Sequence, residues 1–96
     1  MQSHVAFHNV DHSRALEFFI QQRSSRLNKL LWRGEKISWV IEQDSKEFKP
    51  VLNLKLRNKQ FKVSAKQSNA FSAVNEVIDK AKRVVNKFHA KLRHSH

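Results

Sequence analysis

The chain has 96 residues, with 19 Lys and Arg against 8 Asp and Glu and a formal charge of +11. It has no Cys, no apolar run long enough to span a membrane, and no basic-then-apolar leader in MQSHVAFHNVDH. Disulfide staples, thiolate metal sites, cysteine nucleophiles, a signal peptide and a transmembrane anchor are therefore not expected, and the expected location is the cytoplasm.

A hydrophobic content of 40%, with two Trp and seven Phe, suits a folded chain, and the length fits one domain over residues 1–96. Residues 3–8 alternate, with Val5 and Phe7 on one face, and predict a short strand. Asn9 to Ser13 is a turn, in which Asp11 or Ser13 can cap a helix from about Arg14 to Trp32. Leu16, Phe19, Ile20, Leu27, Leu30 and Leu31 form the apolar stripe of that helix, and Gly34 suits a left-handed C-cap. Ile37, Trp39 and Ile41 alternate as a second strand, followed by a polar connection from Gln43 to Pro50.

Leu52, Leu54 and Leu56 predict a third strand, with Asn53, Lys55 and Arg57 on its other face. After a turn at Asn58-Lys59, Phe61, Val63 and Ala65 predict a fourth, with Lys62, Ser64 and Lys66 opposite. Asn69 is a good N-cap for a last helix from Ala70 to about Arg93. Its stripe is Phe71, Val74, Ile78, Ala81, Val85, Phe88 and Leu92, at 3-4-3-4 spacing. The predicted fold is α+β: a β-α-β-β-β-α two-layer sandwich whose four-stranded sheet carries both helices on one face. The β-α-β unit is expected to cross over right-handedly.

Residues 49–96 hold twelve Lys and Arg against two acids, whereas residues 1–48 hold seven against six. Such concentration points to a polyanion bound by particular elements. On the last helix Lys80, Arg83, Lys87 and Lys91 form a ridge about 16 Å long opposite the apolar stripe, with no acidic neighbour except Asp79. A ridge of this kind can neutralise phosphates and release their counterions. Lys82, His89 and Arg93 flank the stripe. Arg23 falls in the middle of the first helix's stripe, so its stem is expected to pack while the guanidinium reaches out beside Arg26 and Lys29. Phe18 lies off the stripe and is expected to be exposed.

The six His residues lie at positions 4, 8, 12, 89, 94 and 96. His94-Ser95-His96 could chelate weakly, but no metal-binding spacing exists, and the His residues are expected at the surface with no metal or other cofactor bound. There is no phosphate loop, nucleophile elbow or carboxylate pair in a plausible cleft, so neither an enzyme nor a small-molecule substrate is expected.

The element order, the Asn9-Val10 turn and the stretch SAKQSNAFSAVNEVIDKAKRVVNKFHAKLR together resemble the bacterial ribosome hibernation-promoting factors. These are also called ribosome-associated translation inhibitors or sigma-factor modulation proteins. Ser64-Ala65, Asn69, Phe71, Ser72-Ala73, Val74-Asn75 and Ile78-Asp79-Lys80 carry the likeness. Ser24 departs from it by replacing a large apolar residue, Asn69 by replacing an acidic cap, and Phe18 by replacing a polar residue. The resemblance implies a fold similar to a double-stranded-RNA-binding domain with an added first strand. It implies binding to the small ribosomal subunit and its rRNA, over the mRNA and tRNA sites, with Arg23, Arg26, Lys80, Arg83, Lys87 and Lys91 at matching basic positions. It also implies a short form acting beside a separate ribosome modulation factor.

The expected function is thus a non-enzymatic translation inhibitor that promotes ribosome hibernation in stationary phase or stress. The expected RNA-binding residues are Arg23, Arg26, Lys55, Arg57, Lys62, Lys66, Lys80, Lys82, Arg83, Lys87 and Lys91, and no membrane partner is expected. The alternatives are a stand-alone double-stranded-RNA-binding module and a protein-interaction module that modulates a transcription factor. Against the first, no basic residue stands between Asn69 and Lys80 at the start of the last helix.

Overall fold

The computed structural model describes residues 3–94. Its elements are β1 (His4–His8), α1 (Arg14–Asn28), β2 (Lys36–Asp44), β3 (Glu47–Leu56), β4 (Lys59–Ser64) and α2 (Ala70–His94). The predicted α+β order holds. The strands form one four-stranded sheet in the order β1-β2-β3-β4, with β1 parallel to β2 and the other pairs antiparallel. A parallel neighbour needs a long crossover, which α1 supplies; the antiparallel neighbours need only tight turns.

The start of α1 is as expected, with Ser13, one of the two candidate caps, accepting at its Oγ from the Leu16 N–H at 3.2 Å. Several other boundaries differ from the sequence pattern, each for a local reason. The helix stops at Asn28, so Gly34 is not its cap. Gly34, with φ +88°, lies in a later turn closed by the Glu35 N–H on the Trp32 carbonyl at 3.0 Å. The expected connection from Gln43 to Pro50 is instead a hairpin, with Asp44 paired to Glu47 across Ser45-Lys46 and Ser45 at φ 61°.

Pro50 is therefore a strand residue, paired with Ile41. Phe48 exchanges both main-chain hydrogen bonds with Gln67, at 2.8 and 3.1 Å, so by alternation Pro50 also directs its backbone toward the β4 side. It has no N–H to give there. The β3–β4 ladder accordingly ends at the Val51–Ser64 pair and resumes, in the same register, at Phe48–Gln67. The last hairpin turns at Arg57-Asn58, one residue earlier than expected, with Leu56 paired to Lys59 and Arg57 at φ 60°.

Cross-strand partners share a face of the sheet. Trp39, Leu52 and Val63 form one buried row, and Ile37, Leu54 and the half-buried Phe61 form the next. Leu16, Ile20 and Leu27 of α1 and Val74, Val77, Ile78, Ala81 and Val85 of α2 complete this core. The other face presents the row His4, Ser38, Asn53 and Lys62 and the row Ala6, Val40, Val51 and Ser64. Gln21 of α1 clamps the chain just ahead of β1, accepting from the Ser3 N–H at 3.0 Å and donating to the Ser3 carbonyl at 2.8 Å.

The α2 stripe is broader than its 3-4 spacing implies. Ala73 and Val77 are fully buried on the flank that turns toward β4. Phe71, on the opposite flank, is 41% exposed and meets Phe19 edge-on at 5.0 Å. Asn69 caps the helix as expected, its Oδ1 accepting from the Ser72 N–H at 3.0 Å. Phe18 is exposed, as expected.

Trp39 is fully buried, so its indole N–H needs a partner away from water. Ser24, also fully buried, accepts that hydrogen at 2.8 Å. This gives a packing reason for a small polar residue where the family resemblance leads one to expect a large apolar one.

Ile78, 3% exposed at the centre of the stripe, tests the packing. Ile78→Ala is expected to cost about 2–5 kcal/mol in equilibrium denaturation. Wild-type stability in that variant would show that the stripe is not the core.

Candidate nucleic-acid interface

The cations named from the sequence fall into four settings. The first is a groove between α2 and the β3–β4 hairpin. Arg57, Lys59, Lys87 and Lys91 line it over Phe61, Val84, Phe88 and Leu92, around a volume of about 890 Å³. Phe61 and Phe88 meet edge-to-face at 5.8 Å and form part of its floor. Among the described residues, none that lines it is acidic. Arg57 reaches this place because the turn removes it from the sheet face on which alternation had put it. Lys59 escapes sequence reasoning for the same reason: the pattern places it in the turn, whereas it begins β4.

The second setting is the ridge of α2, which is not uniform. Lys87 and Lys91 reach the groove, and Arg83 is exposed. Lys80 is occupied: its Nζ lies 3.0 Å from Glu76 Oε2 and donates to the Ser64 carbonyl at 3.0 Å. The expectation that the ridge has no acidic neighbour beyond Asp79 is thus corrected by Glu76, one helical turn earlier. Lys80, with the Gln67 amide, holds the Glu76 carboxyl below its ordinary value.

The third setting is the seam between the helices. Arg23 Nε donates to Asn75 Oδ1 at 3.1 Å, and its guanidinium lies 4.6 Å from the centre of the Phe19 ring. The stem packs and the head reaches out, as expected, but the head also ties α1 to α2. Arg26 is exposed and Lys82 half-buried. Further along, Trp32 stacks on His89 at 3.7 Å, with the Arg57 and Arg93 guanidinium groups 5.9 and 5.7 Å from its ring.

His89 is not the surface residue expected. It is 5% exposed, with Nε2 2.8 Å from Glu35 Oε1, and that oxygen also accepts from the Trp32 N–H at 2.7 Å. The pairing joins residues 54 apart in sequence, so local spacing carries no signal of it. Among the described residues no group of three or more His, Asp or Glu is arranged to hold a metal. The His94 and His96 side chains lie outside the described residues.

The fourth setting is the open sheet face, where Lys55 and Lys62 are exposed and Lys36, missed from the sequence, joins them around a shallow depression with His4, Ser38 and Asn53. Lys66 does not join them. Its Nζ lies 2.8 Å from Asp44 Oδ2, an ion pair that lowers the Asp44 pKa and raises that of Lys66 through their hydrogen bond and mutual attraction.

The model of the family described as sigma 54 modulation protein / S30EA ribosomal protein matches residues 3–93. The chain belongs to this family. The family is ribosome-associated, and its fold is the one described above. Two solved structures are similar: a ribosomal subunit interface protein from Coxiella burnetii and the N-terminal domain of Thermus thermophilus Protein Y. The first is 17% identical with a TM-score of 0.79, and the likeness covers 94% of this chain and 99% of that one. The second is 15% identical with a TM-score of 0.79, covering 92% of this chain and 99% of that one. A search of curated proteins gave no match. Among the described residues no helix is long and apolar enough to cross a membrane.

The Glu76–Lys80 contact yields a pH test. Because the folded pKa of Glu76 is depressed, the stability from its ionised form is complete above the ordinary carboxylate range and is lost as pH falls through the depressed value. Lys80→Gln is expected to raise the Glu76 midpoint toward its ordinary value, read from the carboxyl carbon by NMR. An unchanged midpoint would show that the contact does not persist in solution.

Proposed function

We propose that the protein is a non-enzymatic translation inhibitor that binds the small ribosomal subunit, occupies the mRNA and tRNA path, and so promotes ribosome hibernation in stationary phase or stress. The observation that carries this reading is the cationic surface formed by Arg57, Lys59, Lys87 and Lys91, which among the described residues has no acidic member, within a chain matched over residues 3–93 by a ribosomal-protein family. Phosphate contacts hold a protein in place without reading sequence. Discrimination then falls to the shape of the rRNA channel, and inhibition follows from occupancy alone.

Arg83, Lys87, Lys91 and Arg57 are the principal phosphate contacts in this reading. Arg23, Arg26 and Lys82 on the helix seam and Lys55 and Lys62 on the sheet are a second tier. Lys80 and Lys66 contribute less, because each already has a carboxylate partner. The similar Coxiella burnetii protein is described as a ribosomal subunit interface protein, which supports the ribosome as partner. A ribosome modulation factor bound beside the protein belongs to the same proposal.

The first turns of α2 favour the ribosome over generic duplex RNA. They present Phe71 and no cation before Lys80, so a phosphate-gripping helix start is missing. In sedimentation the protein is expected to travel with small subunits in preference to large subunits or a random RNA duplex at physiological salt. Equal affinity for the duplex would favour the stand-alone duplex binder. Binding to a protein partner that survives high salt would favour the transcription-factor modulator.

Lys87→Ala tests the contact set. Lys87 is exposed, so folding is expected to change by no more than about 0.5 kcal/mol. Ribosome affinity is expected to fall, and the slope of log affinity against log salt to shrink by about 1. Inhibition of cell-free translation is expected to fall in parallel, with Glu17→Gln as control. Unchanged affinity and slope would remove the ridge from the interface.

A further inference from the structure

We infer that the groove between α2 and the β3–β4 hairpin is a nucleotide pocket, which takes one unstacked base of single-stranded RNA on its apolar floor and the flanking phosphates on its rim. The inference rests on the proposed RNA-binding function and names the part of the RNA that this site receives.

A site that bound phosphates alone would need only a cationic surface. This one is concave and has an aromatic and aliphatic floor beneath the cations. Phe61 comes from β4 and Phe88 from α2, and their edge-to-face contact at 5.8 Å joins the two walls. Both rings are half-buried, so each keeps surface that an incoming planar group can cover. Base-on-aromatic contact tolerates any sequence, because every base has a π-face.

The rim fits the same ligand. Arg57 and Lys59 stand at the hairpin, and Lys87 and Lys91 stand one helical turn apart on α2. A base seated between the two walls would thus have cations on both sides for the phosphates before and after it. Among the described residues no carboxylate lines the groove to repel them. A base in a continuous duplex is excluded, because its faces are covered by neighbours. The ligand is therefore a nucleotide in a loop, a bulge or a single strand. An acidic peptide would meet the same cations but gains nothing specific from a floor suited to a planar ring.

The experiment uses the full chain, with labelled backbone amides, and two single-stranded RNA pentanucleotides that differ only in a central adenosine or a central abasic residue. Titration by NMR is expected to move the signals of Phe61, Val84 and Phe88, and loss of the base to weaken binding by about tenfold or more. Phe61→Leu keeps the apolar bulk and is expected to lose most of that base dependence without unfolding. Equal affinity for the two strands would overturn the pocket and leave a phosphate site. Competition by a hepta-glutamate peptide at the affinity of the adenosine strand would overturn it as well. Ribosome binding that persists without base dependence would defeat the pocket alone. Base-dependent binding in a protein that ignores ribosomes would defeat the ribosome reading and leave the pocket standing.

Discussion

The hydrogen bond between Trp39 and Ser24 is the constraint around which the two layers are arranged. Trp39 is the largest fully buried side chain and stands in the ladder beside Val5 and Leu52. Its ring fixes how far the helices can approach the sheet, and its N–H requires an acceptor at one place on α1. Ser24 meets that requirement because a small side chain lets the backbone come close while keeping an oxygen. With α1 set in this way, the chain leaving it reaches the far end of α2, where Trp32 lies on His89 and Glu35 pairs with the same imidazole. The sheet face, the helix seam and the later loop are thus tied together by two polar contacts set in an apolar core.

The cationic surfaces follow from that packing. α2 buries its stripe on β3 and turns one flank toward β4 and the other toward α1. The flank toward β4 supplies Lys87 and Lys91, and the hairpin, turning one residue early, brings up Arg57. A non-glycine residue at positive φ is held there against its own preference, by about 1 kcal/mol or more. At Arg57 the guanidinium lies near Trp32, and that contact offsets part of the cost.

Much of this could be read from the residues. Alternation identified the buried faces of β2, β3 and β4, because a strand with one covered face must repeat every second residue. The α2 stripe and the Asn69 cap were equally plain. Other features were hidden for definite reasons. Pro50 suggested a loop, since the pattern alone could not reveal that the ladder opens beside it. Gly34 looked like a helix end, although Glu35 builds the turn that uses it. Ser24 had no visible role without Trp39 beside it. His89 and Glu35 each look like surface residues until the fold brings them together. On the cationic surfaces, composition and the helical wheel found the cations but not their company. Glu76 and Asp44 engage two of them, and the aromatic floor beneath the others comes from separate elements.

The sheet has two outer edges, and a helix side chain reaches across at each. Gln21 binds both main-chain groups of Ser3 just ahead of β1, and Lys80 occupies the Ser64 carbonyl where β4 ends. Exposed strands invite other chains to pair with them, and natural proteins blunt that tendency with charge and side-chain cover. Lys62 adds its cation along the β4 edge. These contacts leave fewer free main-chain groups for strand-to-strand pairing between copies. Lys80, paired with Glu76 on the ridge, thus also covers a main-chain acceptor at the open side of the sheet.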